Sequence, residues 1–427
     1  MKEAIRSIVV AILTLEAKAI LAKYRPKIIL VTGSVGKTST KDATYAALAS
    51  STFVRKSEKS YNSDIGAPLT ILGVKNGWGN MIQWVRNIID GALLIVITAP
   101  YPKWLIVEVG ADRPGDISRR LAWLKPDVVV TTRIPTIPVH VEFYENPEDV
   151  AAEELAPLSW LTGGIAVISA DDTPTPFVGS VKRITYGLAE GADVRVSDVR
   201  TIEEGGVVQG VNFTISYQGA TQSVMLTHVV GESHVRAAAA GAAAALAAGA
   251  TLESAAAGLM TLVPPPGRMR IIPGKDGSTI IDDTYNSSPV ATEEALRTLA
   301  GLPATRRIAV LADMLELGTY SAAEHERIGR LAASTDMLIT VGVRAQAIAE
   351  GMRAAQKEGE AETRVIRSFD RGSDASAFLL TILKEGDVAL IKGSQSMRME
   401  RVVKSVMAEP NKAKDLLCRQ DAEWLAR

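Results

Sequence analysis

Lys37, Thr38 and Ser39 stand directly behind two glycines, Gly33 and Gly36, in the stretch 27-KIILVTGSVGKTSTKDATYAAL-48. This order suits phosphate chemistry. Backbone N–H groups of a turn through Gly33, Ser34, Val35 and Gly36 can close around phosphate oxygens, and a helix start adds positive potential. Lys37 would reach the outer phosphates, and the Thr38 hydroxyl would ligate a phosphate-bound Mg²⁺. The elements that must hold this turn are present: β-formers from Ile28 to Val31 precede it, and a helix-compatible run from Lys41 to Leu48 follows. Val31 occupies the place of the first Gly in G-x-x-x-x-G-K-[ST], so the general pattern is met only in its second half. A strand–turn–helix with an accidental Gly-Lys-Thr is the bland alternative. The expectation is a bound nucleotide.

Further candidates recur where strands end. In 104-WLIVEVGADRPGDI-117, Glu108 closes an apolar strand, at the edge where open α/β sheets bind ligands. A buried carboxylate needs a partner, and nucleotide-bound Mg²⁺ is preferred over a structural salt bridge. His140, one of four histidines, follows the strand 127-DVVVTT-132. Alone it reads more readily as structural than as a ligand. Asn146 or Pro147 then opens a helix carrying Glu153 and Glu154. In 61-YNSDIGAPLTIL-72, Asn62, Ser63 and Asp64 either face a ligand or cap a helix. Later come 281-IDDTYNSSP-289, 310-VLADMLELG-318 with His325 behind it, and 386-GDVALIKGSQSMRME-400. The last puts Lys392, Gly393 and Ser394 after a strand, a second anion-binding turn.

The frame is ordinary. With 427 residues, 47% apolar and 22% charged, the chain predicts two or three domains of a globular protein. Lys+Arg 47 against Asp+Glu 48 leaves no basic field, so nucleic acid is not an expected partner. The single Cys418 excludes an internal disulfide framework and a Cys-based zinc site, which fits a reducing cytoplasm. The apolar stretch Ile5 to Leu21 is interrupted by Glu16 and Lys18, and Gly91 to Pro100 falls short of the ~20 residues a membrane span needs. Residues 1–26 read as an amphipathic helix, docked on the protein or resting on a membrane surface. Short segments at 183–186, 193–200, 207–217 and 221–227 suggest a small antiparallel sheet. The Ala-rich 232–249 reads as a tightly packed helix. After the stiff 264-PPPGR-268, strands near 279–283, 307–312, 337–341, 364–366 and 387–391 alternate with helices, a doubly wound domain.

In this order, TGSVGKTST, VEVGADRPGDI, VHVEF, PPGR, DDTYNSSP, DMLELG and KGSQSMRME resemble the motifs of the Mur ligases over roughly residues 27–407. These are ATP-dependent amide-forming enzymes of peptidoglycan synthesis. The last three motifs resemble the branch that adds D-alanyl-D-alanine to a UDP-muramoyl tripeptide. The resemblance implies an α/β protein: a helix at 1–26, a P-loop ATP-binding domain at 27–265 with a mostly parallel sheet plus a small antiparallel one, a Rossmann-like domain at 266–410 and a tail at 411–427. Gly33, Ser34, Val35, Gly36, Lys37, Thr38 and Ser39 would cradle the triphosphate. Thr38 and Glu108 would lie near one Mg²⁺, and His140 would ligate a second. Arg268 would reach the phosphates, Asp283 and Asn286 would face the nucleotide, and Lys392 and Ser394 would face the incoming dipeptide. Asn62 and Ser63 would meet substrate.

Four departures accompany the resemblance. The family begins with a domain for the UDP moiety, for which there is no room before Gly33, so a separate UDP-binding partner is one expectation. Glu154, beside Glu153, aligns with a carbamoylated lysine and would supply its carboxylate to the second metal. The segment 231-GESHVRA-237 has His234 and Ala237 where asparagines are usual, which touches adenine recognition, and Ser63 also replaces an Asn. The implied chemistry is formation of an acyl phosphate from a carboxylate and ATP, then displacement of phosphate by an amine, with two domains closing over the site. A Mur-type ligase for another carboxylate/amine pair and a degenerate ATP-binding regulatory partner are the competing readings.

Overall fold

The computed structural model describes residues 3–58, 64–172, 181–359 and 364–426. The expected phosphate strand, β1 (Lys27–Thr32), runs inward from an exposed Lys27 through five buried residues. It pairs in parallel with β3 (Trp104–Glu108) on one side and β4 (Val128–Thr131) on the other. Beyond β3 lies β2 (Val54–Lys56); beyond β4 lie β5 (Ile165–Ser169) and β6 (Lys182–Gly187), all parallel. The chain thus leaves β1 towards one edge and later returns to its other side. That reversal opens a crevice at the carboxyl ends of β1, β3 and β4.

β7 (Val194–Glu204), β8 (Val207–Tyr217) and β9 (Ala220–Thr227) are antiparallel to each other, as their alternation suggests. They do not form a sheet of their own. β7 pairs with β6, so they extend one nine-stranded sheet. The segment near 183–186 belongs to the parallel part. Inward residues such as Val196, Phe213, Ile215 and Val224 join the hydrophobic core that covers β1, which explains the continuity.

Helices cover both faces. On one, α2 (Lys37–Ala49) meets the Ala-rich α7 (Glu232–Ala247) and α8 (Leu252–Leu259). Small residues set this distance: a Cβ on Gly241 would come within 2.6 Å of the Ala43 backbone carbon. On the other face pack α1 (Glu3–Tyr24), α3 (Gly66–Leu72), α4 (Met81–Val96), α5 (Asp116–Leu121) and α6 (Pro147–Ser159). α1 buries Val9, Leu13, Ala17 and Ile20, so it docks on the protein along one stripe. Gly91 to Val96, within the second apolar stretch, ends a helix, α4, that packs beside α1.

The second sheet has the order β10-β11-β15-β12-β13-β14. β10 (Arg270–Pro273) is antiparallel to β11 (Thr279–Asp283). β15 (Asp387–Lys392), β12 (Arg306–Ala312), β13 (Met337–Val341) and β14 (Val365–Phe369) follow in parallel. α9 (Pro289–Gly301), α10 (Ser321–Ala332) and α11 (Gln346–Lys357) cover one face; α12 (Gly372–Ile382) and α13 (Glu400–Val406) cover the other.

Candidate active site

The turn between β1 and α2 is shaped by two left-handed glycines, Gly33 at φ 118° and Gly36 at φ 90°. Gly33 must remain glycine on space as well, since a Cβ there would meet Thr132 Oγ1 at 2.4 Å. α2 starts at Gly36 without a side-chain cap, so the amides of its first turn lack intrahelical acceptors and line the crevice. The Ser34 and Val35 amides are engaged differently: both donate to the Arg133 carbonyl, at 3.1 and 3.0 Å. These two residues therefore pin the loop to the segment after β4, while the Lys37–Ser39 turn presents the helix start. Lys37 Nζ folds back onto the Gly33 carbonyl and lies 3.6 Å from Glu154 Oε1.

Thr38 Oγ1 donates to Glu108 Oε1 at 3.1 Å, so the two groups expected beside one metal are adjacent. Arg268, from the linker, donates through Nη2 to Thr38 Oγ1 at 3.2 Å and lies over the Tyr285 ring at 4.0 Å. The linker thus touches the phosphate helix directly. Lys41, one helical turn after Lys37, is fully buried with Nζ 3.6 Å from Glu108 Oε2. It gives Glu108 the salt-bridge partner that the sequence analysis ranked behind a metal. Its spacing of four from Lys37 was the available signal, but a lysine in a polar helix start reads as solvated.

The adjacent glutamates of α6 divide their tasks. Glu153 accepts from the amides of Gly115, Ile117 and Ser118 at 3.1, 2.8 and 3.4 Å, closing the start of α5. Glu154 turns into the crevice, is buried, and accepts from the Ser34 hydroxyl. Burial pushes its carboxyl up, against the opposing pull of Lys37. His140, held at φ 70°, places Nδ1 2.7 Å from Glu316 Oε2 and Nε2 3.6 Å from Asp112 Oδ1. Glu316 belongs to the DMLELG turn, so this histidine meets the second domain.

From that domain, Asp283 at the end of β11 accepts from Lys392 Nζ at 2.6 Å and from the Met269 amide at 3.2 Å. Lys392 also donates to the Asn286 carbonyl at 3.0 Å. Its charge is thus matched inside the domain, although the residue lines the crevice. Ser394 does not line it: buried, its hydroxyl accepts from the Leu315 amide at 2.8 Å and ties two loops together. Gln395 takes the lining place. Asn62 and Ser63 lie outside the described residues; Asp64 is 3.5 Å from Arg120.

The result is one crevice of ≈ 490 Å³ between the sheets. It gathers Ser34 to Ser39, Glu108, His140, Glu154, Arg268, Asp283, Asn286 and Lys392 from both domains. Two residues gain roles that the sequence withheld. His234 is buried with Nε2 2.7 Å from the Arg268 carbonyl, so it anchors the linker arginine through its backbone; burial lowers its pKa and favours the neutral ring. Glu294 of α9 meets Arg133 and lies 3.6 Å from Arg236 Nη1, bridging the domains beside the crevice. No group of three or more His, Cys, Asp or Glu among the described residues could by itself hold a metal.

A phosphate turn at a sheet switch point, facing a second α/β domain across a linker arginine, defines an ATP-dependent ligase. The middle-domain model of the Mur ligases matches residues 89–245, and the Mur ligase glutamate ligase domain model matches residues 267–395. The chain belongs to the Mur ligase family. It is 32% identical over 410 residues to the UDP-N-acetylmuramoyl-tripeptide--D-alanyl-D-alanine ligase of Mycobacterium tuberculosis (strain ATCC 25618 / H37Rv), covering 90% of this chain and 73% of that one. To the enzyme of that name from Bacillus subtilis (strain 168) it is 28% identical, over 92% of this chain and 79% of the relative. Among solved structures it superimposes on MurF from Acinetobacter baumannii with TM-score 0.75 at 25% identity, covering 92% and 79% of the two chains. MurF ligase from Thermotoga maritima, solved with ADP, shares the fold with TM-score 0.74 at 24% identity, over 95% and 84%.

Proposed function

We propose that this chain is an ATP-dependent, ADP-forming amide ligase that joins D-alanyl-D-alanine to a UDP-muramoyl tripeptide. The carrying observation is the convergence of Lys37, Thr38, Glu108 and Arg268 on one helix start. Phosphoryl transfer asks mainly for positioning and charge neutralisation. The first turn of α2 binds the phosphates through its amides, Lys37 swings from the Gly33 carbonyl to the outer phosphates, and Arg268 approaches from the linker. Thr38 and Glu108 would hold one Mg²⁺ and His140 with Glu154 another, which when bound would neutralise phosphate charge. Asp283 and Asn286 face the nucleotide from the second domain. Lys392 orients the 283–286 loop, and Ser394 acts by bracing the 394–397 turn.

The acceptor carboxylate takes the γ-phosphoryl group as an acyl phosphate, and the amine then displaces phosphate to form the amide. Closure of the two domains, clasped by Glu294 between Arg133 and Arg236, keeps water from that acyl phosphate. A second cleft of ≈ 1410 Å³ shares Thr38, Arg268 and Tyr285 with the first and is lined by Trp78, Trp84, Arg419 and Trp424. Its size and aromatic walls suit the sugar-peptide acceptor. A supply of ATP and of a nucleotide-activated acceptor supports a reaction in the cytoplasm. No described helix is long and apolar enough to cross a membrane.

Phosphate release with ATP, UDP-muramoyl-tripeptide and D-alanyl-D-alanine tests the reading. Stoichiometric amide product supports it. Turnover only with another amine or acceptor keeps the ligase and replaces the substrates, an outcome favoured by the withdrawal of Ser394 from the crevice. ATP binding without turnover on any pair overturns it.

A further inference from the structure

α4 leaves an apolar stripe outside the core. Trp84, Asn87 and Gly91 face inward, while Ile82, Val85, Ile89, Leu93 and Val96 recur at helical spacing on the opposite side. Ile82 and Val96 are each 81% exposed, the highest values among the described large apolar side chains. α1 lies alongside with a matching outer stripe through Ile8, Ala11 and Leu15. Together, α1, α4 and the adjoining Ile97 hold ten of the 23 exposed large apolar side chains described in the whole chain. Elsewhere such residues are scattered and need no explanation; a contiguous pair of stripes does.

The ridge is built to stay in place. Lys23 Nζ donates to the carbonyls of Leu94, Ile95 and Ile97 at 3.0, 3.0 and 2.8 Å, tying the end of α1 to the end of α4. Its described exposed charge is mainly basic. Among the described residues, the exposed charged side chains of α1 are Arg6, Lys18 and Lys23, with Arg25 just beyond, and Glu16 is turned inward. On α4, Arg86 is exposed and the half-buried Asp90 lies 3.8 Å from it. Apolar stripes edged by lysine and arginine fit a bilayer bearing anionic headgroups: apolar side chains enter the acyl boundary, and basic stems extend up to the phosphates. A second copy fits less well, because a two-fold contact through this face brings like charges together.

We propose that the α1–α4 ridge docks this protein on the surface of an anionic lipid bilayer, lying in the interface without crossing it. The inference stands apart from the choice of substrates. It is tested on the full chain by flotation with phosphatidylglycerol-containing vesicles and with pure phosphatidylcholine vesicles. Binding to the first, at least about tenfold above the second and weakened by salt, is expected. Ile82→Glu with Val96→Glu should lower the bound fraction about tenfold or more while ATP binding and the melting curve stay unchanged. Lys18→Glu should weaken binding to anionic vesicles alone. Absent binding by the natural chain, or undiminished binding by the double variant, overturns the proposal. So does a dimer that Ile82→Glu with Val96→Glu dissolves, which would assign the ridge to a second copy.

Discussion

Each domain ends a central strand in a carboxylate and sets a buried lysine against it, yet the two pairs do different work. In the first domain, Glu108 has Lys41 on one oxygen and the Thr38 hydroxyl on the other, with Arg268 reaching that hydroxyl. In the second, Asp283 takes Lys392 at 2.6 Å and a backbone amide, so its charge is spent on holding the 283–286 loop. The Thr38 contact of Glu108 leads into the crevice, while the Lys392 and Met269 contacts of Asp283 hold the loop beside it.

The largest test of this contrast removes the phosphate cation. Lys37→Ala should lower ATP-dependent phosphate release about a thousandfold, with little change in melting temperature, because Lys37 is held by loop carbonyls alone and an interaction at Glu154. Equal loss of stability and activity would make Lys37 a structural residue.

Glu108→Gln and Asp283→Asn should then part company. Asp283→Asn removes the carboxylate partner of the buried Lys392 and should cost about 3 kcal/mol by denaturant titration, whereas after Glu108→Gln Lys41 still has Asp42 at 3.7 Å and the loss should be smaller. At a temperature where both variants remain folded, Glu108→Gln should slow turnover by about a hundredfold, and Asp283→Asn should chiefly raise KM for ATP. Identical kinetic profiles would erase the distinction drawn here.

Glu154→Gln keeps shape and removes charge beside Lys37 and His140. Turnover should fall about tenfold to a hundredfold, more steeply at limiting Mg²⁺ than at saturation, since the variant loses the proposed carboxylate holder. Natural activity at every Mg²⁺ concentration would exclude Glu154 from metal binding.

The smallest effect lies far from the crevice. Burial raises the Glu16 carboxyl from 4.5 to about 7, and its Oε2 has no hydrogen-bond partner among the described residues. A group whose folded pKa is raised contributes stability below its unfolded pKa and loses it as pH rises through the folded one. Glu16→Gln should therefore change little at pH near 4 and add about 1 kcal/mol at pH near 8, allowing for partial hydration. A variant that is less stable at both pH values would show that the carboxylate is solvated in place.

Much of the site was legible in spacing. Glycines before Lys-Thr, acids at strand ends and prolines before Arg268 are local requirements of a phosphate turn, a sheet edge and a stiff linker. The sequence pointed to Glu154 through the resemblance, but the role of its neighbour Glu153, which caps the start of α5, shows only in the packing of α6. The clasp of Glu294 with Arg133 and Arg236 joins residues more than fifty apart in sequence, so no local pattern could announce it.

By itself the sequence determined the two α/β units, the phosphate turn and the family, because periodicity and turn chemistry act over a few residues. Tertiary structure alone decided which charges oppose one another. It buried Lys41 against Glu108, turned Ser394 away, put His234 behind Arg268 and left the outer stripe of α4 uncovered. Those outcomes depend on how helices and strands distant in sequence share one space, and burial there decides what each side chain can do.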